Sequence, residues 1–136
     1  MEGLIKITPN KEKAKHIIKI AEMTIERIQR VDVKEFVTLT TKDYYDVIKE
    51  LMTAVVLLDG YKTEGDGSHK RLIEYITIKY KELKQHEIQT IEDLREKRNK
   101  TYYEGLFLPE DYLEKRREDI KSIIIKLKQI INNKLK

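Results

Sequence analysis

From Tyr44 to Leu58 the chain repeats apolar residues at steps of three and four: Tyr44, Val47, Ile48, Leu51, Val55 and Leu58. Ala54, Val56 and Leu57 then fill much of the remaining circumference. That spacing is the period of an α-helix. A helix apolar on nearly all sides is central to a fold or lies at an interface. Thr40, with Asp43 three residues on, reads as its opening cap, and Gly60 reads as its left-handed end.

The same period recurs elsewhere, because only five glycines and two prolines interrupt the chain. Ala14, Ile17, Ile18, Ala21, Ile25 and Ile28 make one stripe behind a Thr8-Pro9 start. Ile20 and Met23 lie off it and suggest a second contact face. Ser68 reads as the cap of a third helix, with Leu72, Ile73, Ile76, Tyr80 and Leu83 on one side. Thr90 with Asp93, or a start one turn earlier near His86, opens a fourth, which Ile91, Leu94, Arg98 and Tyr102 carry to Gly105. Leu108-Pro109-Glu110-Asp111 opens the last, whose apolar face is Ile120, Ile123, Ile124, Leu127, Ile130 and Ile131. "GLIKI" and "EFVTL" look strand-like but read as extended ends or loop. The expectation is one all-α domain over residues 1–136, an antiparallel four-helix up-and-down bundle with an additional short helix.

Composition narrows the function classes. With no cysteine there is neither a disulfide scaffold nor a thiolate metal site. No run reaches the ~20 apolar residues of a membrane span, and the opening "MEGLIKITPNKEK" lacks the apolar core of a secretory signal. A cytoplasmic protein without membrane contact is expected. A net charge of +4 tolerates an anionic partner without requiring one. After Asp119 the tail holds five lysines and no acid, which suits either a helix C-terminal dipole or a phosphate-facing patch.

His16, His69 and His86 sit in separate segments with no paired-His spacing, and no phosphate loop, nucleophile elbow or EF-hand loop is present. His16 reads as a solvated flank and His69 as an ordinary surface histidine. No metal and no cofactor are expected. Glu26 with Arg30, Asp93 with Lys97, and Glu96 with Lys100 have the spacing of exposed helical ion pairs.

The exception is "LREKRNKTYYEG", residues 94–105. Helical geometry stacks Arg98 on Tyr102 and Asn99 on Tyr103, with Arg95 one turn before Arg98. A guanidinium grips phosphate with two hydrogen bonds, and a phenol donates to phosphate or stacks on a base. The alternative is that the tyrosines belong to the core and the arginines to solvent.

At these residues the chain resembles the HEPN family (higher eukaryotes and prokaryotes nucleotide-binding), helical bundles whose fourth helix carries Arg-Asn, a short spacer and a histidine. Arg98 and Asn99 match the motif, and Tyr103 stands where the histidine would be. The stretch "YYDVIKELMTAVVLLDGYKTEGDGSHKRLIEYI" is similar to the family's second helix, loop and third helix, so the resemblance covers roughly residues 10–133. It implies a homodimer that brings two Arg-Asn motifs into one cleft, RNA or nucleotide as ligand, and a nucleotidyltransferase as partner in a toxin–antitoxin pair. Active members are metal-independent endoribonucleases. By that resemblance Arg98 and Tyr103 are the catalytic candidates, and Arg95, Arg98, Asn99 and Tyr102 are the ligand-binding ones.

The tyrosine changes the chemistry expected. An ordinary phenol near pKa 10 is ionised in about one molecule per thousand at pH 7, which forfeits roughly 4 kcal/mol of general-base drive. Arg98 and Tyr103 are also five residues apart, about 140° around an ideal helix. Binding is therefore expected ahead of cleavage. The alternatives from other classes are a non-enzymatic interaction subunit with exposed tyrosines for a nucleotidyltransferase, and a homodimeric adaptor seamed along residues 44–58.

Overall fold

The computed structural model describes residues 3–136. It is mainly helical: β1 (Leu4–Lys6), α1 (Lys11–Ile28), α2 (Val37–Leu58), β2 (Tyr61–Thr63), α3 (Ser68–Lys79), α4 (Gln85–Glu104) and α5 (Arg117–Leu135), with a short 3-10 turn over Glu114–Arg116. α2 is the hub. It packs against each of the other four helices, and twelve of its residues, from Val37 to Leu57, are buried. Its apolar circumference is thus spent inside one copy of the chain, so it does not supply the dimer seam that its sequence allows.

The other stripes fold as their spacing predicts. Ala14, Ala21 and Ile28 of α1 are buried with Ile17, Ile18 and Ile25 packed beside them, while Ile20 and Met23 stay exposed. Leu72, Ile73 and Ile76 of α3, Ile91 and Leu94 of α4, and Ile123 and Leu127 of α5 complete the core. Among the described residues no helix is long and apolar enough to cross a membrane.

Helix starts differ from the sequence expectations, each for a local reason. Asn10, not Thr8, caps α1, its Oδ1 accepting the Lys13 N–H at 3.0 Å. α2 begins at Val37, so "EFVTL" is helical in its second half rather than extended. The Asp32 carboxylate turns the chain by accepting the Lys34 and Glu35 N–H groups, and Thr40 is then buried inside the helix. Gly67, not Ser68, precedes α3. α4 takes the earlier of its two starts, where the Glu87 carboxylate accepts the Lys84 N–H at 2.9 Å. Around Leu108-Pro109 the chain makes turns, and α5 proper begins only at Arg117, with Glu118 and Asp119 as its first-turn acids.

The strand-like "GLIKI" is a strand after all. Leu4–Lys6 pairs antiparallel with Tyr61–Thr63, in a segment read from sequence as loop. Gly60 links the two features. Its φ of +87° ends α2, its carbonyl accepts the Ile7 N–H at 2.8 Å, and a Cβ there would stand 3.1 Å from the Ile7 oxygen.

Candidate functional site

α4 divides into two halves of different character. In the first, every buried charge is matched. Glu87, almost wholly enclosed, accepts hydrogen bonds from Ser122 at 2.5 Å and Lys126 at 2.6 Å. Burial alone would raise its pKa, but Lys126, the Lys84 backbone and Ser122 outweigh that and hold it below the ordinary value. Asp93 behaves likewise: burial pushes up, and hydrogen bonds from Tyr112 and Arg116 prevail. Arg116 also lies 3.8 Å over the Tyr112 ring. Thr90 and His86 both meet Asp119. Lys126 and Lys134 of the basic tail are engaged with Glu87 and Asp59, so two of its five lysines are committed within the chain.

The second half holds the sequence candidates. The three expected ion pairs form, Arg30 with Glu26, Lys97 with Asp93 and Lys100 with Glu96, but Arg98 joins none. Among the described residues its only side-chain hydrogen bond is from Nη1 to Asn99 Oδ1, long at 3.4 Å, and its Nε is buried with no partner. The guanidinium sits 5.6 Å from the Tyr102 ring centroid. Arg95 has a weak contact with Glu92 at 3.4 Å. Tyr102 and Tyr103 are 67% and 75% exposed and meet edge to face at 5.1 Å, so they are not core residues.

α4 is regular up to Glu104, and this separates the candidates. Arg98 and Tyr102 lie together on one side. Asn99 and Tyr103 border an open furrow of about 320 Å³ whose walls are all α4 side chains, including Glu92, Asp93, Glu96 and Glu104 against Arg95 and Lys100. That furrow favours cations over phosphate. Tyr103 and Arg98 of one copy are therefore not presented to a common ligand, as the 140° between them requires.

What faces the Arg98 side comes from α2 and α3. Tyr45 is fully buried, and Arg95 and Arg98 lie within electrostatic reach of its hydroxyl. Burial pushes that phenol up to about 12 despite the pull of both guanidiniums. His69, in the first turn of α3, puts its ring 6.0 Å from the Tyr45 ring. It is half-buried, and its pKa is lowered by that burial first, then by Lys49, Arg98 and Arg95, with Asp46 opposing. Four buried side-chain polar atoms lack a partner among the described residues: Tyr45 Oη, Asp46 Oδ1, Glu50 Oε2 and Arg98 Nε. Three belong to one stretch of α2 and the fourth is the guanidinium near it. Native interiors leave few such atoms, so their concentration in one region singles it out as the candidate site.

The sequence singles out Arg95, Arg98, Asn99 and Tyr102 as candidates, whereas Tyr45 and His69 come into view through the packing of α2 and α3. A signal existed. Lys42, Asp46, Lys49 and Glu50 form a polar strip at helical spacing on an otherwise apolar helix, and Tyr45 borders it. No group of three or more His, Asp or Glu side chains able to hold a metal occurs among the described residues. Comparison with protein-family models, with curated proteins and with solved structures finds no match to this chain.

Proposed function

We propose that this chain is a HEPN-like protein, an antiparallel four-helix up-and-down bundle with a short extra helix, that binds RNA or a nucleotide through Arg98 in a groove shared by two copies. In this reading it is the toxin-like member of a pair with a nucleotidyltransferase. Any cleavage it performs is metal-independent and weak. Contacts between helix ends support the architecture. Arg27 near the end of α1 pairs with Asp43 of α2, Thr38 of α2 holds the Leu108 N–H just after α4, and Asp93 of α4 meets Arg116 just before α5.

One observation carries the binding reading. Arg98 is half-buried and has no carboxylate partner among the described residues. A partly desolvated cation left unpaired is costly, and a phosphate fits a guanidinium with two hydrogen bonds. Tyr102 beside it adds a stacking face for a base. The dimer answers the 140° separation, since a partner copy can bring its Tyr103 to the Arg98 of the first.

Fluorescence anisotropy with a single-stranded RNA tests this. Arg98→Ala is expected to weaken binding at least about tenfold, the worth of one charge-assisted contact, while the urea midpoint stays put. Equal affinity in wild type and Arg98→Ala, or a monomer by light scattering at the binding concentration, overturns the reading.

A second reading, an interaction subunit, rests on the exposure of Tyr102, Tyr103 and, at 86%, Phe107. Incubation with a co-purified nucleotidyltransferase and ATP then adds nucleotide mass to a tyrosine. An unchanged mass disposes of the modification idea.

A further inference from the structure

Arg98 is the end of a longer arrangement. α3 begins at Ser68 behind Gly67, whose φ is +77°; no side chain caps that end, and its first turn contains no acid. An uncapped N-terminus of a twelve-residue helix carries partial positive charge and free donors. His69 projects from that turn against Tyr45, and the Tyr45 hydroxyl, on a fully enclosed side chain, has no hydrogen-bond partner. Lys49, Arg95 and Arg98 act on the same imidazole from α2 and α4. Three elements thus turn donors or positive charge toward one region.

The carboxylates nearby do not close it. Asp46 spends Oδ2 on Lys42 at 3.2 Å, and Glu92 reaches Arg95 only at 3.4 Å. Glu50 is raised by burial, with Lys49 opposing and Asp46 adding, so its ionised form is disfavoured. Lys49, Arg95 and Arg98 act on the imidazole against Asp46 alone, which leaves the region electropositive.

We propose that Tyr45 and His69 complete the Arg98 site, so that the phenol, the imidazole and Arg98 together hold one phosphate group, His69 taking up a proton as the phosphate enters. The inference rests on Arg98 being an anion ligand and adds the α2 and α3 residues that surround the anion. With no anion bound, burial first and then Lys49, Arg98 and Arg95 lower the imidazole's pKa, with Asp46 opposing. A bound phosphate reverses that field, and the imidazole then gains a proton from bulk water and donates a charge-assisted hydrogen bond. Phosphate affinity accordingly rises as pH falls through the His69 titration. The phosphate could be terminal, on a nucleotide, or internal, in an RNA backbone; the recognition chemistry is shared.

The test follows the three histidine Hε1 resonances against pH by NMR. His69 is assigned through His69→Gln, and the titration is run with no ligand, with inorganic phosphate, and with a single-stranded RNA lacking terminal phosphates. The His69 midpoint is expected to move to higher pH, about tenfold in proton affinity, while His16 and His86 do not move. A response to inorganic phosphate alone identifies a terminal phosphate, and a response to the RNA identifies a backbone diester. His69→Gln and Tyr45→Phe should each weaken binding about three- to tenfold; Tyr45→Phe keeps the ring and so the packing. An unmoved His69 midpoint, with RNA binding still dependent on Arg98, overturns this inference and leaves the proposed function standing. No binding of either ligand overturns both.

Discussion

The C-terminal end and the middle of α2 use the same side-chain chemistry to opposite effect. At the C-terminal end, Asp59 accepts hydrogen bonds from the Tyr75 hydroxyl at 2.6 Å and the Tyr80 hydroxyl at 2.5 Å, and pairs with Lys134. Nothing there is left over. At the middle of α2, Tyr45, Asp46 and Glu50, with Arg98 of α4 near them, each keep a buried atom without a partner among the described residues. A closed cluster ties α2, α3 and α5 together and contributes to stability. An open one costs stability and is retained where something else completes it.

Acid is the bluntest way to break the contrast, because it strikes every closed cluster together. Asp59, Glu87 and Asp93 all titrate below their ordinary values of 3.8, 4.5 and 3.8. For Asp59, burial pushes the other way and the bonds from Lys134, Tyr75 and Tyr80 overcome it. A depressed carboxylate contributes stability that is whole above its unfolded pKa and is lost as pH falls through its folded one. The urea midpoint should therefore hold down to about pH 5 and drop steeply by about pH 3. A flat profile across that window would mean that the clusters do not stabilise the fold.

Asp59→Ala comes next, with an expected loss of about 3 kcal/mol in urea unfolding, since it strands Lys134 and two tyrosine hydroxyls. A loss below about 1 kcal/mol would contradict the structural role given to that end. The smallest pair is the most pointed. Tyr80→Phe deletes a bonded hydroxyl and should cost roughly 1–2 kcal/mol, whereas Tyr45→Phe deletes an unbonded one and should cost nothing or stabilise slightly. Equal losses would erase the distinction between the two regions.

The helices were legible because each buries one face, and a 3.6-residue period survives in sequence whatever the neighbours are. The three-residue strands were not, since β1 exists only through its pairing with residues far along the chain. Helix starts were ambiguous where two cap candidates compete: Asn10, the better cap residue, prevails over the Thr8-Pro9 pair, and the Glu87 bond selects the earlier of the two α4 starts. Arg98 was visible as a cluster on one helix. His69 was not, because its burial depends on how α3 meets Tyr45, and three-dimensional packing leaves no local trace.

The pairing of Leu4–Lys6 with Tyr61–Thr63 also bears on the order of events during folding. α1 with α2 and α4 with α5 are neighbours in the chain and can zip early, whereas the strand pair joins segments roughly 60 residues apart and carries a larger closure cost. Arg71 fastens the same corner, donating to the Glu64 and Asp66 carbonyls and lying against Gly3. A late clasp would make the His69 turn among the last parts to settle. A bundle with its long helices already assembled would then present Arg98 before it could grip anything firmly, so that recognition competence trails compactness.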